Sequence, residues 1–115
     1  MATFQLVLLE EAKKFLQSLP KPAYSKIIYN VDRVARGERN SKIFKKLDNT
    51  DIWEFRTLYN GIAYRLFAFW DTETQTLVVA THGIIKKTQK TPKKEIAMAE
   101  ATMKQYFELK KKYRT

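Results

Sequence analysis

Residues 51–85 read DIWEFRTLYNGIAYRLFAFWDTETQTLVVATHGII, and this stretch decides the fold. Asn60-Gly61 is a strong signal for a two-residue hairpin turn, because both residue types tolerate a positive φ. The polar segment DTETQ at 71–75 indicates a second, looser turn. The flanking segments are rich in β-branched and aromatic residues, which predicts three antiparallel strands at about 51–59, 62–70 and 76–84.

This hairpin determines which side chains face each other across its two strands. With Asn60-Gly61 as the turn, Arg56 lies directly opposite Arg65. Opposed like charges destabilise a sheet by up to about 1 kcal/mol, so something should offset them. Glu54 is on the same face and can pair with one guanidinium, while a bound phosphate could serve the other. The other face is the expected core face, with Trp53, Phe55, Tyr64, Leu66 and Ala68.

The third predicted strand contains His82, the only histidine of the chain, and its register is open. A tight turn at 73–74 places His82 opposite Arg65, whereas a loop one residue longer turns it toward the core. In both registers the strand leads into Lys86 and Lys87, at the end of the sheet that carries the arginines. The position suits a structural histidine with satisfied hydrogen bonds as well as a catalytic one.

Upstream of the hairpin, the apolar pattern predicts one strand and two helices. Alternation over 4–8 is typical of a short strand, and helical spacing follows over 9–19. Pro20 and Pro22 end the first helix and permit a second one, which closes near Gly37. The polar segment 38–50 predicts a loop.

Downstream of the strands, Thr91 and Pro92 predict the N-cap and first position of a last helix. Phe67 and Phe69 lie on the face of the arginines, so we expect that helix or a partner segment to cover them. The order β-α-α-β-β-β-α predicts a single α+β domain over 1–115, with a small, mostly antiparallel twisted sheet and helices packed on it.

Composition limits the classes of function that this chain can have. It has 115 residues, 44% of them hydrophobic, and no cysteine, which excludes disulfides and thiolate metal sites. One histidine and no local carboxylate cluster argue against a zinc or iron site. The apolar segment near the start is too short for a signal peptide or a membrane span, so we expect a soluble, cytoplasmic protein.

The net charge of +10 is concentrated in the last third of the chain. Residues 81–115 hold ten basic and three acidic residues, a net charge of +7. Five lysines lie between 86 and 94 without an acidic residue among them. A solvated basic turn would show the same composition, but a concentrated basic surface also favours nucleic acid, the ribosome or an anionic membrane as partner.

Three motifs together resemble the phage-derived, HigB-like branch of the RelE/HigB toxins. They are IWEFR at 52–56, AYRL at 63–66 and HGIIKKTQKTP at 82–92. The branch has an "ELR" strand, a "YR" strand and an "HGFxKKtqktP" turn before an alanine-rich helix. Phe55 stands here in place of Leu and Ile84 in place of Phe, and both exchanges keep an apolar side chain.

This resemblance implies a RelE-like toxin of a type II toxin–antitoxin module, with a helix-turn-helix antitoxin encoded nearby. Such toxins cleave mRNA, usually in the ribosomal A site, without a metal or cofactor and without a membrane partner. By position, Glu54, Arg56 and Arg65 match the family's catalytic strands, and Lys86 and Lys87 match its basic turn. The expected catalytic residues are these first three together with His82 and Lys86. Expected RNA contacts are Lys87, Lys90, Lys93, Lys94 and Tyr59, the last by stacking on a base.

The chemistry of metal-free RNA cleavage indicates the role of each of these residues. Arg56 and Arg65 are expected to hold the scissile phosphate, and Glu54 either accepts a proton or orients Arg56. His82 could act as acid or base. The alternatives are a non-catalytic module of this fold that binds RNA or a helix-turn-helix partner, and a DNA-binding repressor subunit, which lacks a recognition-helix pattern.

Overall fold

The computed structural model describes residues 4–74, 77–86 and 90–113. Within these ranges, the helices and strands follow the order that the sequence predicts, with one additional short strand. The elements are β1 (Gln5–Leu8), α1 (Glu10–Gln17), α2 (Lys21–Ala35), β2 (Phe44–Lys46), β3 (Trp53–Tyr59), β4 (Ile62–Trp70), β5 (Leu77–Lys86) and α3 (Lys93–Lys112).

The strands form one sheet in the order β1-β5-β4-β3-β2. β1 pairs with β5 in parallel, and the other neighbours are antiparallel, which confirms the α+β prediction. The hairpin register is also confirmed, with Tyr59 opposite Ile62 and Arg56 opposite Arg65. Asn60 and Gly61 have φ values of 55° and 78°, the left-handed conformation that a two-residue turn requires.

The prediction of a loop over 38–50 is wrong in its second half, because Phe44–Lys46 form the edge strand β2. Phe44 lies opposite Phe55, and its ring stacks on those of Phe55 and Trp53 at centroid distances of 4.4 and 4.6 Å. Three residues are too few for a visible alternation, so packing between distant aromatic residues defines this strand.

The predicted start of the last helix is wrong by one residue. The helix begins at Lys93, and Pro92 rather than Thr91 occupies the N-cap position. The Thr91 hydroxyl instead donates a 2.8 Å hydrogen bond to Oε2 of Glu54. The Thr91 hydroxyl therefore bonds to Glu54 on β3 and not, as the capping rule predicts, to the backbone of the helix.

Helices cover the sheet on both faces. On one face, α1 and α2 pack over a core that includes Leu16, Ile27, Phe55, Leu66 and Val78. On the other face, α3 covers Phe67 and Phe69, both fully buried, with Ala99, Met103, Tyr106 and Phe107. The prediction that the last helix covers these two phenylalanines is confirmed.

A β-bulge in β5 decides the orientation of His82. Trp70 lies opposite Val78 and Ala68 opposite Ala80, but Phe67 lies opposite His82, so Thr81 is an extra residue in β5. The bulge returns His82 to the face that carries the arginines. Both predicted registers are therefore wrong in detail, because His82 faces neither Arg65 nor the α1/α2 core.

Candidate functional site

Glu54 lies at the centre of a cluster of basic side chains on the α3 face of the sheet. Its Oε1 is 3.3 Å from Nε of Arg65 and 3.4 Å from Nε of Arg56, and its side chain is 2% exposed. Because Arg56 and Arg65 are paired across β3 and β4, this one carboxylate offsets the repulsion between both guanidinium groups. The sequence predicted that Glu54 pairs with one arginine, and the structure shows contacts with both.

Backbone carbonyls hold the two arginines from the sides. Nη1 of Arg65 donates to the Tyr64 carbonyl at 3.1 Å, and Nη1 of Arg56 donates to the Ser41 carbonyl at 3.4 Å. Among the described residues, neither buried Nε has an acceptor in hydrogen-bonding geometry, so their contact with Glu54 is electrostatic. Burial, opposed by Glu54 and assisted by Arg56, lowers the pKa of Arg65 below its usual value.

Lys86 joins the arginines from the end of β5, where it lies opposite Ala63. Burial and then repulsion by Arg65 lower its pKa; Arg56 and Lys45 add to this, and Glu54 opposes it. Three cations of the predicted site thus share one anion, which leaves an excess of positive charge that favours a bound polyanion.

Lys45 also belongs to this surface, and sequence reasoning missed it. It lies opposite Glu54 on β2 and is exposed. The sequence offered no signal for it, because its segment was predicted to be a loop and its strand depends on pairing with β3 and on aromatic packing on the other face. Edge strand β2 therefore extends the basic surface beyond the predicted residues.

His82 is buried next to the cluster, and both of its ring nitrogens have protein partners. Nε2 is 3.1 Å from Oε1 of Glu95, and Nδ1 is 2.9 Å from Oγ1 of Thr81. Its ring lies 4.9 Å from that of Phe67, and the residue is only 7% exposed. This arrangement connects β5 to the first turn of α3, and Glu95, which completes it, was not predicted.

The predicted RNA contacts are dispersed. Lys87 lies outside the described residues. Lys90, just before α3, and Lys93 and Lys94, in its first turn, are exposed. They flank Thr91, whose hydroxyl bonds to Glu54. Tyr59 packs against the α1/α2 core, so the structure does not bring its ring together with the arginines. Alternation along β3 accounts for this, since Tyr59 and Phe55 share one face.

A second polar cluster fixes the other end of α3. Asp71 is fully buried, and its Oδ2 accepts hydrogen bonds from Tyr106 Oη at 2.7 Å and Lys110 Nζ at 2.6 Å. Burial alone would raise the pKa of Asp71, but the hydrogen bonds from Lys110 and Tyr106 outweigh it and lower the pKa. Burial and Asp71 raise the pKa of Tyr106 to about 12. The helix is thus held to the sheet by polar contacts at both ends.

Two further properties bear on function. In the part of the chain that the structure describes, no three histidine or acidic side chains are grouped as metal ligands would be. Over the same residues, none of the helices has the length and apolar character of a membrane span.

Comparisons with known proteins agree with this fold. The family model described as "Phage derived protein Gp49-like" matches residues 14–104. A free-state mutant of Escherichia coli toxin RelE superposes with a TM-score of 0.56 at 21% identity, covering 72% of this chain and 82% of RelE. The Mycobacterium tuberculosis toxin–antitoxin complex RelBE2 gives a TM-score of 0.51 at 19% identity, over 75% of this chain and 94% of its counterpart. No curated protein sequence matches significantly.

Proposed function

Because this chain belongs to the family of phage-derived Gp49-like proteins and has the fold of RelE, we propose that it is a toxin that cleaves mRNA on the ribosome. The observation that carries this proposal is the cluster of Arg56, Arg65 and Lys86 around Glu54 on one face of the sheet. Glu54 and the carbonyls of Ser41 and Tyr64 hold both guanidinium groups in place before any substrate arrives.

In the proposed reaction, the 2′-hydroxyl of the RNA attacks the adjacent phosphorus in line and gives up its proton to a water molecule. The P–O5′ bond breaks, and a 2′,3′-cyclic phosphate and a free 5′-hydroxyl result. Arg56 and Arg65 bind the non-bridging oxygens of the scissile phosphate, on which charge increases in the transition state. Lys86 is the candidate for donating a proton to the leaving 5′-oxygen, because burial and neighbouring cations lower its pKa toward the range useful for an acid.

Glu54 is proposed to orient the arginines rather than to accept the proton. Oε1 is in ionic contact with two guanidinium groups and Oε2 accepts a hydrogen bond from Thr91, so protonation of Glu54 would weaken three contacts within the protein. His82 is proposed to position the start of α3 through Glu95. The ribosome would then supply the alignment of the mRNA, a contribution that can reach several kcal/mol.

The surrounding lysines are proposed to bind flanking phosphates of mRNA or rRNA. Lys90, Lys93 and Lys94 are exposed and close in sequence to Thr91, which bonds to Glu54, and Lys45 lies opposite Glu54 on β2. An antitoxin, of the helix-turn-helix class that the family resemblance implies, would neutralise the chain in the cytoplasm. The net charge of +10 suits both an RNA substrate and an acidic inhibitor.

Induction of the chain without an antitoxin tests the proposal. We expect growth arrest and new 5′ ends within translated mRNAs. Arg65→Ala should abolish both effects, whereas Arg36→Ala, which removes an exposed arginine paired with Asp32, should keep them. Continued growth with intact messages on induction of soluble wild-type chain would rule the toxin out, and arrest by Arg65→Ala would rule out the site.

A second candidate is a module of the same fold that binds RNA without cleaving it. The position of Glu54 favours it, since this carboxylate already neutralises part of the charge that a scissile phosphate would meet. Filter binding with labelled RNA separates the two candidates. Retention of RNA on the filter without any product on a sequencing gel would favour the binding module.

A further inference from the structure

A cavity of about 500 Å³ opens on the α1/α2 face of the sheet. Trp53, Trp70, Phe4 and Phe44 form its aromatic walls, and residues 37–41 form its rim. Trp53 begins β3 and Trp70 ends β4, so the cavity lies at the end of the sheet away from the Asn60-Gly61 turn. It therefore lies on the other face of the sheet from the basic cluster.

The walls of this cavity are held in place by contacts between rings. Phe4 meets Trp70 edge to face at a centroid distance of 5.2 Å, and Phe44 stacks on Trp53 at 4.6 Å. Its volume is within the range of about 300–1,000 Å³ that is typical of ligand pockets. A space of this size can hold one or two side chains but not a folded domain.

The rim is basic. Glu38 and Arg39 both line the cavity; Glu38 pairs with Arg33, whereas Arg39 has no carboxylate within ion-pair distance among the described residues. Lys46 lies opposite Trp53, on the cavity face of β2, and is exposed, so it adds to this positive charge. An apolar cavity beside unpaired positive charge suits a partner segment in which an acidic residue lies next to an apolar side chain.

We propose that this cavity is the docking site for an acidic segment of the antitoxin, which inserts one aromatic or branched apolar side chain between the tryptophans. Arg39 pairs with a carboxylate next to that anchor. This inference rests on the proposed function, since it takes the antitoxin as the partner. RNA held by Arg56 and Arg65 is on the other face of the sheet, so the cavity remains accessible to a protein partner.

A segment bound in the cavity can affect the catalytic cluster through residues 41–43 at the rim. Ser41 lines the cavity, and its carbonyl accepts the hydrogen bond from Nη1 of Arg56. The carbonyl of Ile43, two residues later, accepts from the backbone N–H of Arg56 at 2.8 Å. A segment that displaces residues 41–43 therefore moves Arg56, so the antitoxin inhibits cleavage without covering the cations.

Fluorine NMR tests the docking site directly, because Trp53 and Trp70 are the only tryptophans of the chain. The chain is labelled with 5-fluorotryptophan and titrated with the purified helix-turn-helix protein encoded beside it. We expect both resonances to shift as the complex forms. Complex formation with both resonances unchanged would overturn the inference, and so would the absence of a complex.

Variants separate this inference from the proposed function. Trp70→Leu removes one aromatic wall of the cavity at the end of β4, away from Arg56 and Arg65, and we expect it to weaken antitoxin binding at least about thirty-fold. Arg39→Ala should weaken binding about ten-fold, whereas its matched control Arg36→Ala should leave it unchanged. Because Arg39 is exposed, its removal leaves the fold intact.

In cells, both cavity variants should arrest growth when induced alone and resist neutralisation by the co-expressed antitoxin. Arrest with wild-type neutralisation would overturn the docking site and leave the proposed function standing. Failure of the wild-type chain itself to arrest growth would instead count against the proposed function. The NMR titration would still decide whether the cavity is the docking site for that partner.

Discussion

Glu54→Gln removes the charge of the central carboxylate while keeping its shape and its hydrogen bond with Thr91. At 3.4 Å and an effective dielectric constant of about 20, each contact with an arginine has a Coulomb energy of roughly 5 kcal/mol, most of which offsets the desolvation of the charges. Breaking a buried ion pair costs about 3–5 kcal/mol, and Arg56 is 28% exposed, so we take the lower limit. The free energy of unfolding should therefore fall by about 3 kcal/mol.

Urea denaturation followed by tryptophan fluorescence measures this loss. With an m value of about 1.5–2 kcal/mol per M, the unfolding midpoint should fall by about 1.5–2 M. Glu11→Gln is the matched control, since Glu11 forms an exposed ion pair with Lys14, and its midpoint should stay within the error. A Glu54→Gln midpoint equal to that of the wild type would show that Glu54 does not offset the arginines.

Phosphate adds a second test to the same experiment. Without the Glu54 charge, the two guanidinium groups should accept an oxyanion, and phosphate at a hundred times its Kd would restore about 2.7 kcal/mol. The wild type should gain less, because its carboxylate competes for the same cations. Equal stabilisation of both proteins by phosphate would refute an anion site between Arg56 and Arg65.

The remaining predictions concern the contacts that hold the helices to the sheet. The pKa of Tyr106 is raised to about 12 and that of Lys110 is raised as well, so their contributions to stability are present below pH 10 and are lost as the pH rises toward 12. The urea midpoint of the wild type should therefore fall between pH 10 and 12, and Tyr106→Phe should reduce this fall. The same pH dependence in both proteins would mean that the contact between Tyr106 and Asp71 is not stabilising. Gly83→Ala should destabilise the fold by about 1–3 kcal/mol, because its Cβ would lie 2.2 Å from Cδ2 of Phe15. In the double mutant, Phe15→Leu should recover part of the stability lost through Gly83→Ala. Losses of stability that simply add would contradict the steric overlap between the new Cβ and the Phe15 ring.

Local signals were sufficient for the features that the hairpin controls. A two-residue turn at Asn60-Gly61 sets the register of β3 against β4, and alternation then sets the faces. The opposition of Arg56 and Arg65 follows from these two rules alone. The position of Glu54 between them was only half predicted, because side-chain alternation gives the face but not which guanidinium a carboxylate reaches.

The features that were missed depend on residues far apart in the sequence. Strand β2 exists because Phe44 stacks on Phe55 and Trp53, and the position of Lys45 follows from it. The environment of His82 depends on the bulge at Thr81 and on Glu95, thirteen residues later. Single-sequence periodicity contains neither a bulge nor a partner across a turn.

The chemistry of the cut ends tests the central proposal most directly. Ribosomes programmed with a defined mRNA are incubated with the purified chain, and the products are analysed for a 2′,3′-cyclic phosphate and a 5′-hydroxyl. We expect both groups, no cleavage where the attacking 2′-hydroxyl is replaced by hydrogen, and a rate at least about 100-fold lower for Arg65→Ala. Cleavage that persists at the 2′-deoxy position, or an unchanged rate for Arg65→Ala, would contradict the mechanism.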